Sequence, residues 1–224
     1  MLRLAGVRDY DSRVKFPADC FLYGILDLGY VMPADAPGIV RKMLAGGVDI
    51  LQLRAKNAAR GTICDVALEL APLCRDAGVP LILNDYPDLV RETGADGVHV
   101  GQDDVPVCEV RSIVGPEAII GLSTHSLAHA VAAVEARPDY IGFGPLFATP
   151  TKPDYKAIGL DEIAEVHRRV PLPIFCIGGI KRENLGVVLA AGARRVVIVS
   201  GILQADDIAG YCKGCQGDLR NANV

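Results

Sequence analysis

Residues 94–126, GADGVHVGQDDVPVCEVRSIVGPEAIIGLSTHS, contain two short apolar runs separated by a segment of helical spacing. The runs cover residues 97–100 and 119–122, and apolar residues recur at three- and four-residue intervals over residues 105–114 between them. A strand-length run, a helix and a second such run form a βαβ unit, whose two strands lie parallel in one sheet. This stretch therefore predicts an α/β fold built on a parallel sheet.

The same alternation extends in both directions along the chain. Strand-length apolar runs occur at residues 21–26, 50–53, 81–83, 97–100, 119–122, 140–143, 174–177 and 196–199. Helical spacing occurs at residues 37–45, 62–77, 105–114, 127–136, 161–170 and 183–191. Eight βα units with short connections favour a closed (β/α)₈ TIM barrel in a single domain; an open doubly wound sheet stays the alternative. We expect residues 1–18 to form an N-terminal arm or extra helix, and residues 19–224 to form the barrel domain.

Glycines punctuate the predicted helices. Those at positions 46–47, 78, 94 and 192 precede the next strand, which is typical of left-handed helix C-caps. The last segment, residues 206–219, contains glycines at positions 210, 214 and 217. It predicts an interrupted final helix and an irregular last βα unit.

Composition limits the classes of partner. The 224-residue chain is 50% hydrophobic, with a net charge of −4 and a pI near 5.6, so we expect neither nucleic-acid nor membrane binding. It has no 18-residue apolar run, and charges interrupt residues 1–16, so we expect a cytoplasmic protein. Whether several copies assemble stays open. The seven cysteines are expected to be reduced thiols, with Cys212 and Cys215 as an alternative half zinc site or redox pair.

Polar residues collect where the predicted strands end, which is where TIM barrels build their active sites. Glycine turns after strands 7 and 8, at residues 178–179 and 200–201, indicate a phosphate site made of backbone N–H groups, or else simple tight turns. Arg54, Lys56 and Lys152 supply three cations for phosphoryl oxygens. In a net-acidic protein they indicate an anion-binding clamp.

Two aspartates at the ends of neighbouring strands indicate a metal. Asp85 and Asp104 follow strands 3 and 4, and Mg²⁺ typically takes one or two carboxylates, water and substrate phosphate oxygens. Each aspartate could instead be a helix N-cap, and the sequence does not say whether Asp103 or Asp104 points inward. His99 lies inside the strand pattern GVHVG and fits a hydrogen-bonded interior histidine at least as well as a catalyst. His125 follows strand 5 but has no evident carboxylate partner in sequence, so neither histidine is assigned a catalytic role; His129 and His167 are interpreted as surface residues.

Seven strand-end motifs together resemble the thiamine-phosphate synthase family. They are QLRAK (52–56), ND (84–85), GADGVHVGQDD (94–104), GLSTHS (121–126), GPLFATPTKPD (144–154), IGGI (177–180) and VVIVSGI (196–202). The similarity covers residues 21–205, in order and with plausible spacing. The first strand, LYGILD, and Tyr86 depart from the usual pattern of the family, which concerns the pyrimidine pocket.

The resemblance implies a transferase of thiamine biosynthesis. Pyrophosphate leaves aminohydroxymethylpyrimidine diphosphate, and the nitrogen of hydroxyethylthiazole phosphate, or of its carboxylated form, takes its place in a dissociative, Mg²⁺-assisted substitution. It implies catalytic roles for Arg54, Lys56, Ser123 and Lys152, and Mg²⁺ on Asp85 and Asp104. The implied substrate contacts are Gln52, Leu53, Arg54, Ala55, Lys56, Asn84, Ser123, Thr149, Pro150, Thr151, Lys152, Gly179, Val199 and Ser200.

Two other functions stay open. A thiazole tautomerase of the same superfamily shares a histidine at the position of His125 but typically lacks the full set of diphosphate-binding residues. A catalytically silent barrel that binds thiazole phosphate as a regulatory module would leave the complete cation and carboxylate set unexplained. Turnover of both substrates distinguishes the synthase from either.

Overall fold

Eight parallel strands close into a barrel. The structure is a computed structural model that describes residues 19–149 and 156–223. Each strand pairs with the next, and the last pairs with the first, which confirms the closed (β/α)₈ barrel and excludes the open sheet. The strands are β1 Leu22–Asp27, β2 Ile50–Arg54, β3 Leu81–Asn84, β4 Gly97–Val100, β5 Ile119–Thr124, β6 Tyr140–Phe143, β7 Ile174–Cys176 and β8 Val196–Ile198.

Helices follow the strands around the outside. Within the described residues they are α1 Ala36–Ala45, α2 Arg60–Ala77, α3 Val90–Thr93, α4 Val107–Val114, α5 Leu127–Ala136, α6 Ile163–Arg169, α7 Arg182–Ala190, α8 Ser200–Leu203 and α9 Ile208–Ala222. Short 3₁₀ turns at Pro33–Asp35 and Pro87–Leu89 precede α1 and α3. Gly78 and Gly94 cap α2 and α3 in the left-handed conformation, as the sequence predicts.

Alternate strand residues face two separate cores. One set, which includes Tyr23, Ile82 and Phe175, fills the barrel interior. The other set, which includes Leu51 and Leu53, packs outward against the helices. Because side chains alternate across a strand, this parity decides which residues can reach the open end of the barrel.

Three aspartates brace the opposite end of the barrel. Asp49, Asp96 and Asp139 each precede an even-numbered strand. Their carboxylates accept the backbone N–H groups of Leu22, Leu81 and Ile120, and their own N–H groups donate to the carbonyls of those same three residues. These reciprocal pairs fasten the starts of β1, β3 and β5 to the neighbouring strand, so they serve stability.

The prediction of an interrupted final helix was wrong, because α9 is continuous over Ile208–Ala222. A Cβ at Gly210 would lie 2.2 Å from the carboxylate of Asp207, which caps the helix, and one at Gly214 would lie 2.4 Å from the Arg182 guanidinium. These two glycines therefore make room for neighbouring side chains. The helix continues through both positions.

The two cysteines of α9 are core thiols. Cys212 and Cys215 are fully buried, and burial raises the pKa of both thiols to about 12. Among the described residues, no group of three or more potential metal ligands comes together. The predicted N-terminal arm, residues 1–18, lies outside the described residues. Within residues 19–149 and 156–223, every helix is too short or too polar to span a bilayer.

Candidate active site

A pocket of about 880 Å³, its open mouth included, lies at the carboxyl ends of the strands. Its floor and walls come from the inward-facing residues, and its far rim comes from the turns after β7 and β8. Of the predicted contacts, those that line it are Gln52, Arg54, Asn84, Ser123, Thr149, Gly179, Val199 and Ser200. The sequence thus identifies residues that the fold brings to one cavity, although their roles stay predictions.

Strand parity separates the members of the QLRAK motif. Gln52 and Arg54 face the pocket, whereas Leu53 and Ala55 have the opposite parity and are buried in the outer core. The predicted contacts of Leu53 and Ala55 with substrate are therefore limited to their main-chain atoms. Lys56 follows the end of β2, and its side chain is half exposed.

Arg54 is held by a carboxylate that the sequence analysis missed. Its Nη1 lies 2.5 Å from Oδ2 of Asp27, and the two side chains are only 12% and 3% exposed. Asp27 Oδ1 accepts the N–H of Gly29 at 2.9 Å, which fixes the carboxylate. The β1–β2 register pairs Asp27 with Arg54, so the guanidinium is oriented from the neighbouring strand end.

Asp85 and Asp104 lie at the ends of the adjacent strands β3 and β4. Asp85 has a left-handed φ of 68°, donates its N–H to the His99 carbonyl, and approaches Lys56 Nζ at 3.8 Å. Left-handed non-glycine residues are uncommon and cluster at functional sites. Asp104 accepts the Gly101 N–H at 2.6 Å, which ties its carboxylate to the end of β4.

This pair of carboxylates suits a hard, water-rich cation. The Asp85 side chain is 28% exposed and Asp104 is exposed, so both carboxylates are accessible to a hydrated ion, although neither lines the described pocket itself. Asp103 is exposed as well. The tie between Asp104 and Gly101 favours Asp104 as the aspartate fixed at the strand end.

The opposite rim offers backbone donors. Gly178 and Gly179 have φ values of 101° and 64°, and a Cβ on Gly179 would lie 2.7 Å from Cβ of Phe147. Within the described residues, the N–H groups of Gly178, Gly179 and Ser200 donate to no backbone carbonyl. N–H groups left available around glycines form an anion-binding cradle.

A chain of polar side chains forms the pocket floor, and sequence reasoning missed most of it. Gln52, Tyr23, Tyr140, His99 and Ser123 are joined in that order by hydrogen bonds of 2.8, 2.9, 3.0 and 2.9 Å. His99 is thus a hydrogen-bonded interior histidine. The signal in the sequence is a glycine at inward-facing positions of β5 and β6, which opens space for the rings.

The other histidines differ in their surroundings. His125 lines the pocket, with Nδ1 2.6 Å from the Gly144 carbonyl oxygen, and His129 is exposed as expected. His167, interpreted as a surface residue, is instead partly buried, and desolvation together with Arg194 and Arg195 lowers its pKa to about 4. The prediction for His167 was wrong because α6 turns this side chain toward the segment before β8. The predicted contacts Pro150, Thr151 and Lys152 lie outside the described residues.

Fold and pocket together define a class: a TIM barrel with an enzyme-type cleft at the carboxyl ends of its strands, lined by Arg54 and a glycine turn, with Lys56, Asp85 and Asp104 following the neighbouring strands β2, β3 and β4. A family model described as thiamine monophosphate synthase matches residues 22–202. The chain belongs to this family.

Individual relatives agree over nearly the whole length. The chain is 42% identical over 191 residues to a thiamine-phosphate synthase from Chloroflexus aurantiacus, covering 85% of this chain and 88% of that one. It is 42% identical over 204 residues to one from Desulfitobacterium hafniense, covering 91% and 99%. A solved thiamine phosphate pyrophosphorylase from Pyrococcus furiosus superposes with a TM-score of 0.84 at 28% identity, covering 92% of this chain and 98% of that chain.

Proposed function

We propose that this protein is a transferase that joins aminohydroxymethylpyrimidine diphosphate to hydroxyethylthiazole phosphate, giving thiamine phosphate and pyrophosphate. The bond between the pyrimidine methylene carbon and the diphosphate oxygen breaks, and its electron pair leaves with pyrophosphate. The lone pair of the thiazole nitrogen then forms the new carbon–nitrogen bond. The observation that carries the proposal is that one pocket has the Arg54 guanidinium on one rim and a glycine turn on the other, in a member of this family.

The diphosphate is assigned to the rim formed by β2 and β3. Arg54, fixed by Asp27, presents a planar set of donors, and Lys56 adds a second positive charge beside Asp85. Asn84, Gln52 and Ser123 line the adjoining wall and floor, where the pyrimidine ring would lie. Lys152 is proposed to complete the cation set.

Asp85 and Asp104 are proposed to hold Mg²⁺. When bound there, the ion would neutralise charge on the departing pyrophosphate. Arg54 and Lys56 act in the same sense, since fixed charges aimed at developing negative charge stabilise a transition state.

The thiazole phosphate is assigned to the turns after β7 and β8. Backbone N–H groups of Gly179 and Ser200 would bind its oxygens, with Val199, Thr149, Pro150 and Thr151 alongside. The thiazole nitrogen is a neutral nucleophile, so no general base is required. Catalysis then consists of positioning and charge stabilisation.

We further propose that residues 19–224 form the catalytic domain and that the protein acts in the cytoplasm. Neither the small-molecule substrates nor the mechanism requires a nucleic acid or a membrane. Residues 1–18 are not needed for any of the contacts proposed above.

Substitution of the metal-binding aspartates tests the site. Asp85→Asn and Asp104→Asn should each lower turnover by more than about tenfold while the protein remains folded, and added Mg²⁺ should partly restore the rate. Lys152→Ala should lower turnover by at least as much. Asp103→Asn is the matched control, and it should retain the activity.

Near-normal turnover of Asp85→Asn and Asp104→Asn would contradict the metal assignment. A reversed result, with Asp103→Asn inactive and Asp104→Asn active, would move the ligand to the neighbouring residue. Circular dichroism and thermal unfolding of each variant separate loss of chemistry from loss of fold.

A further inference from the structure

The polar chain across the pocket floor joins two predicted pyrimidine contacts that lie on separate strands. Gln52 belongs to β2 and Ser123 to β5, and Tyr23, Tyr140 and His99 connect them through the barrel interior. Both tyrosines are at most 1% exposed. The hydrogen bonds from Gln52 to Tyr23 and from Tyr23 to Tyr140 are therefore shielded from competing water and hold their geometry, whereas the two bonds of His99 are part-buried.

The donor at one end sets the direction of the whole chain. Gln52 Nε2 can only donate, so the Tyr23 oxygen accepts, and Tyr23 directs its own proton to Tyr140. With this direction Tyr140 would donate to His99 Nδ1, which would leave the imidazole proton on Nε2, facing Ser123 Oγ. Burial raises the pKa of both tyrosines well above the usual value, so both hydroxyls keep their protons.

The two ends of this series of hydrogen-bonded side chains therefore differ, since one end offers a donor to the pocket and the other an acceptor. Ser123 accepts from His99, so its own hydroxyl proton is available to the pocket. Gln52 donates an amide N–H to Tyr23, and its Oε1 is then the acceptor that it can offer to a ligand in the pocket. The floor therefore presents one donor and one acceptor at fixed positions.

We infer that Tyr23, Tyr140 and His99 are positioning residues that fix Ser123 as a donor and Gln52 as an acceptor for the aromatic ring of the first substrate. The inference rests on the proposed function. An aminopyrimidine carries a ring nitrogen that accepts and an exocyclic amine that donates, so it matches this pair of groups.

The glycines of β5 and β6 leave the space that the Tyr140 and His99 rings need for their hydrogen bond. A Cβ on Gly121 would lie 2.1 Å from Cζ of Tyr140 and 2.4 Å from Nδ1 of His99. One on Gly142 would lie 3.4 Å from Cε1 of His99. Glycine weakens a strand interior, and here it admits the contact between the two rings.

Two substitutions at His99 separate its two hydrogen bonds. A glutamine amide reaches about as far as the imidazole Nε2, and an asparagine amide reaches about as far as Nδ1. His99→Asn should therefore lower kcat/KM for the pyrimidine diphosphate by about tenfold, and His99→Gln should recover most of that loss. The KM for the thiazole phosphate should stay within about twofold in both variants.

A double-mutant cycle tests whether His99 affects turnover through Ser123. If His99 acts through Ser123, His99→Asn should cause less than about a twofold further loss when Ser123 is already alanine. Equal losses in both backgrounds, or a parallel rise of both KM values with a lower Tm, would overturn the inference and indicate a structural role only.

The protonation pattern can be measured without any turnover. In ¹⁵N-labelled wild-type protein, the His99 ring should be the Nε2–H tautomer, and Tyr140→Phe should perturb its Nδ1 resonance. An Nδ1–H tautomer would refute the proposed direction of the chain. Lack of product from wild-type protein would instead refute the proposed function, and the NMR result would still decide the hydrogen-bond chain.

Discussion

The buried ion pair between Asp27 and Arg54 yields a quantitative prediction. Asp27→Asn keeps an oxygen for the Gly29 N–H but removes the negative charge 2.5 Å from the Arg54 guanidinium. Because the side chains are only 3% and 12% exposed, water cannot replace the lost counter-ion. Breaking a buried pair by removing one partner typically costs about 3–5 kcal/mol.

The expected loss of unfolding free energy is therefore about 3 kcal/mol, the low end of that range, because the amide still accepts a hydrogen bond. This is less than the total stability of a typical domain, about 5–15 kcal/mol, so the variant should fold. Urea unfolding followed by circular dichroism at 25 °C measures the change. Turnover should also fall, since Arg54 loses its orientation.

A second substitution tests whether Asp27 and Arg54 are energetically coupled. Arg54→Met in the Asp27→Asn background removes the charge that has lost the Asp27 carboxylate, so at least half of the lost stability should return, while turnover stays low. If the double variant instead loses the sum of the two single effects, the pair is not coupled as the geometry implies, and the account of Arg54 fails.

Two further predictions concern the glycine turn and a partly buried histidine. Gly179→Ala combines a left-handed φ of 64° with a Cβ 2.7 Å from Phe147, so it should raise the KM for the thiazole phosphate at least about tenfold, measured by steady-state kinetics. His167 has a pKa lowered from 6.5 to about 4 in the folded protein, so below pH 6.5 the unfolded chain binds more protons than the folded one. The free energy of unfolding therefore decreases as the pH is lowered. Allowing for its partial exposure, roughly 1 kcal/mol should be lost between pH 7.5 and 5. His167→Gln should abolish this loss, as measured by urea titrations at both pH values. The exposed His129→Gln is the control and should leave the loss in place. A pH dependence of stability that His167→Gln leaves unchanged would contradict the role of His167.

Much of the fold could be predicted from local patterns. The eight apolar runs correspond to the eight strands to within a few residues, because buried parallel strands are continuously apolar. The continuity of α9 could not be predicted. It depends on what surrounds Gly210 and Gly214, and those neighbours, Asp207 and Arg182, are brought together only by the folded chain.

The candidate site shows the same division. Polar strand ends identify Gln52, Arg54, Asn84 and Ser123, because the barrel gathers strand ends in one place. Strand parity, applied to the motif at β2, would also have excluded the side chain of Leu53. The link between His99 and Tyr140 depends on the relative register of β4, β5 and β6, which one sequence does not provide.

The synthase assignment is tested by formation of thiamine phosphate from the two purified substrates, with Mg²⁺ and with excess chelator. We predict product with Mg²⁺ and its loss with chelator, restored when Mg²⁺ is returned in excess. No product from folded protein supplied with both substrates and Mg²⁺ would contradict the synthase assignment, and would favour a tautomerase or a binding module that takes up thiazole phosphate without turnover.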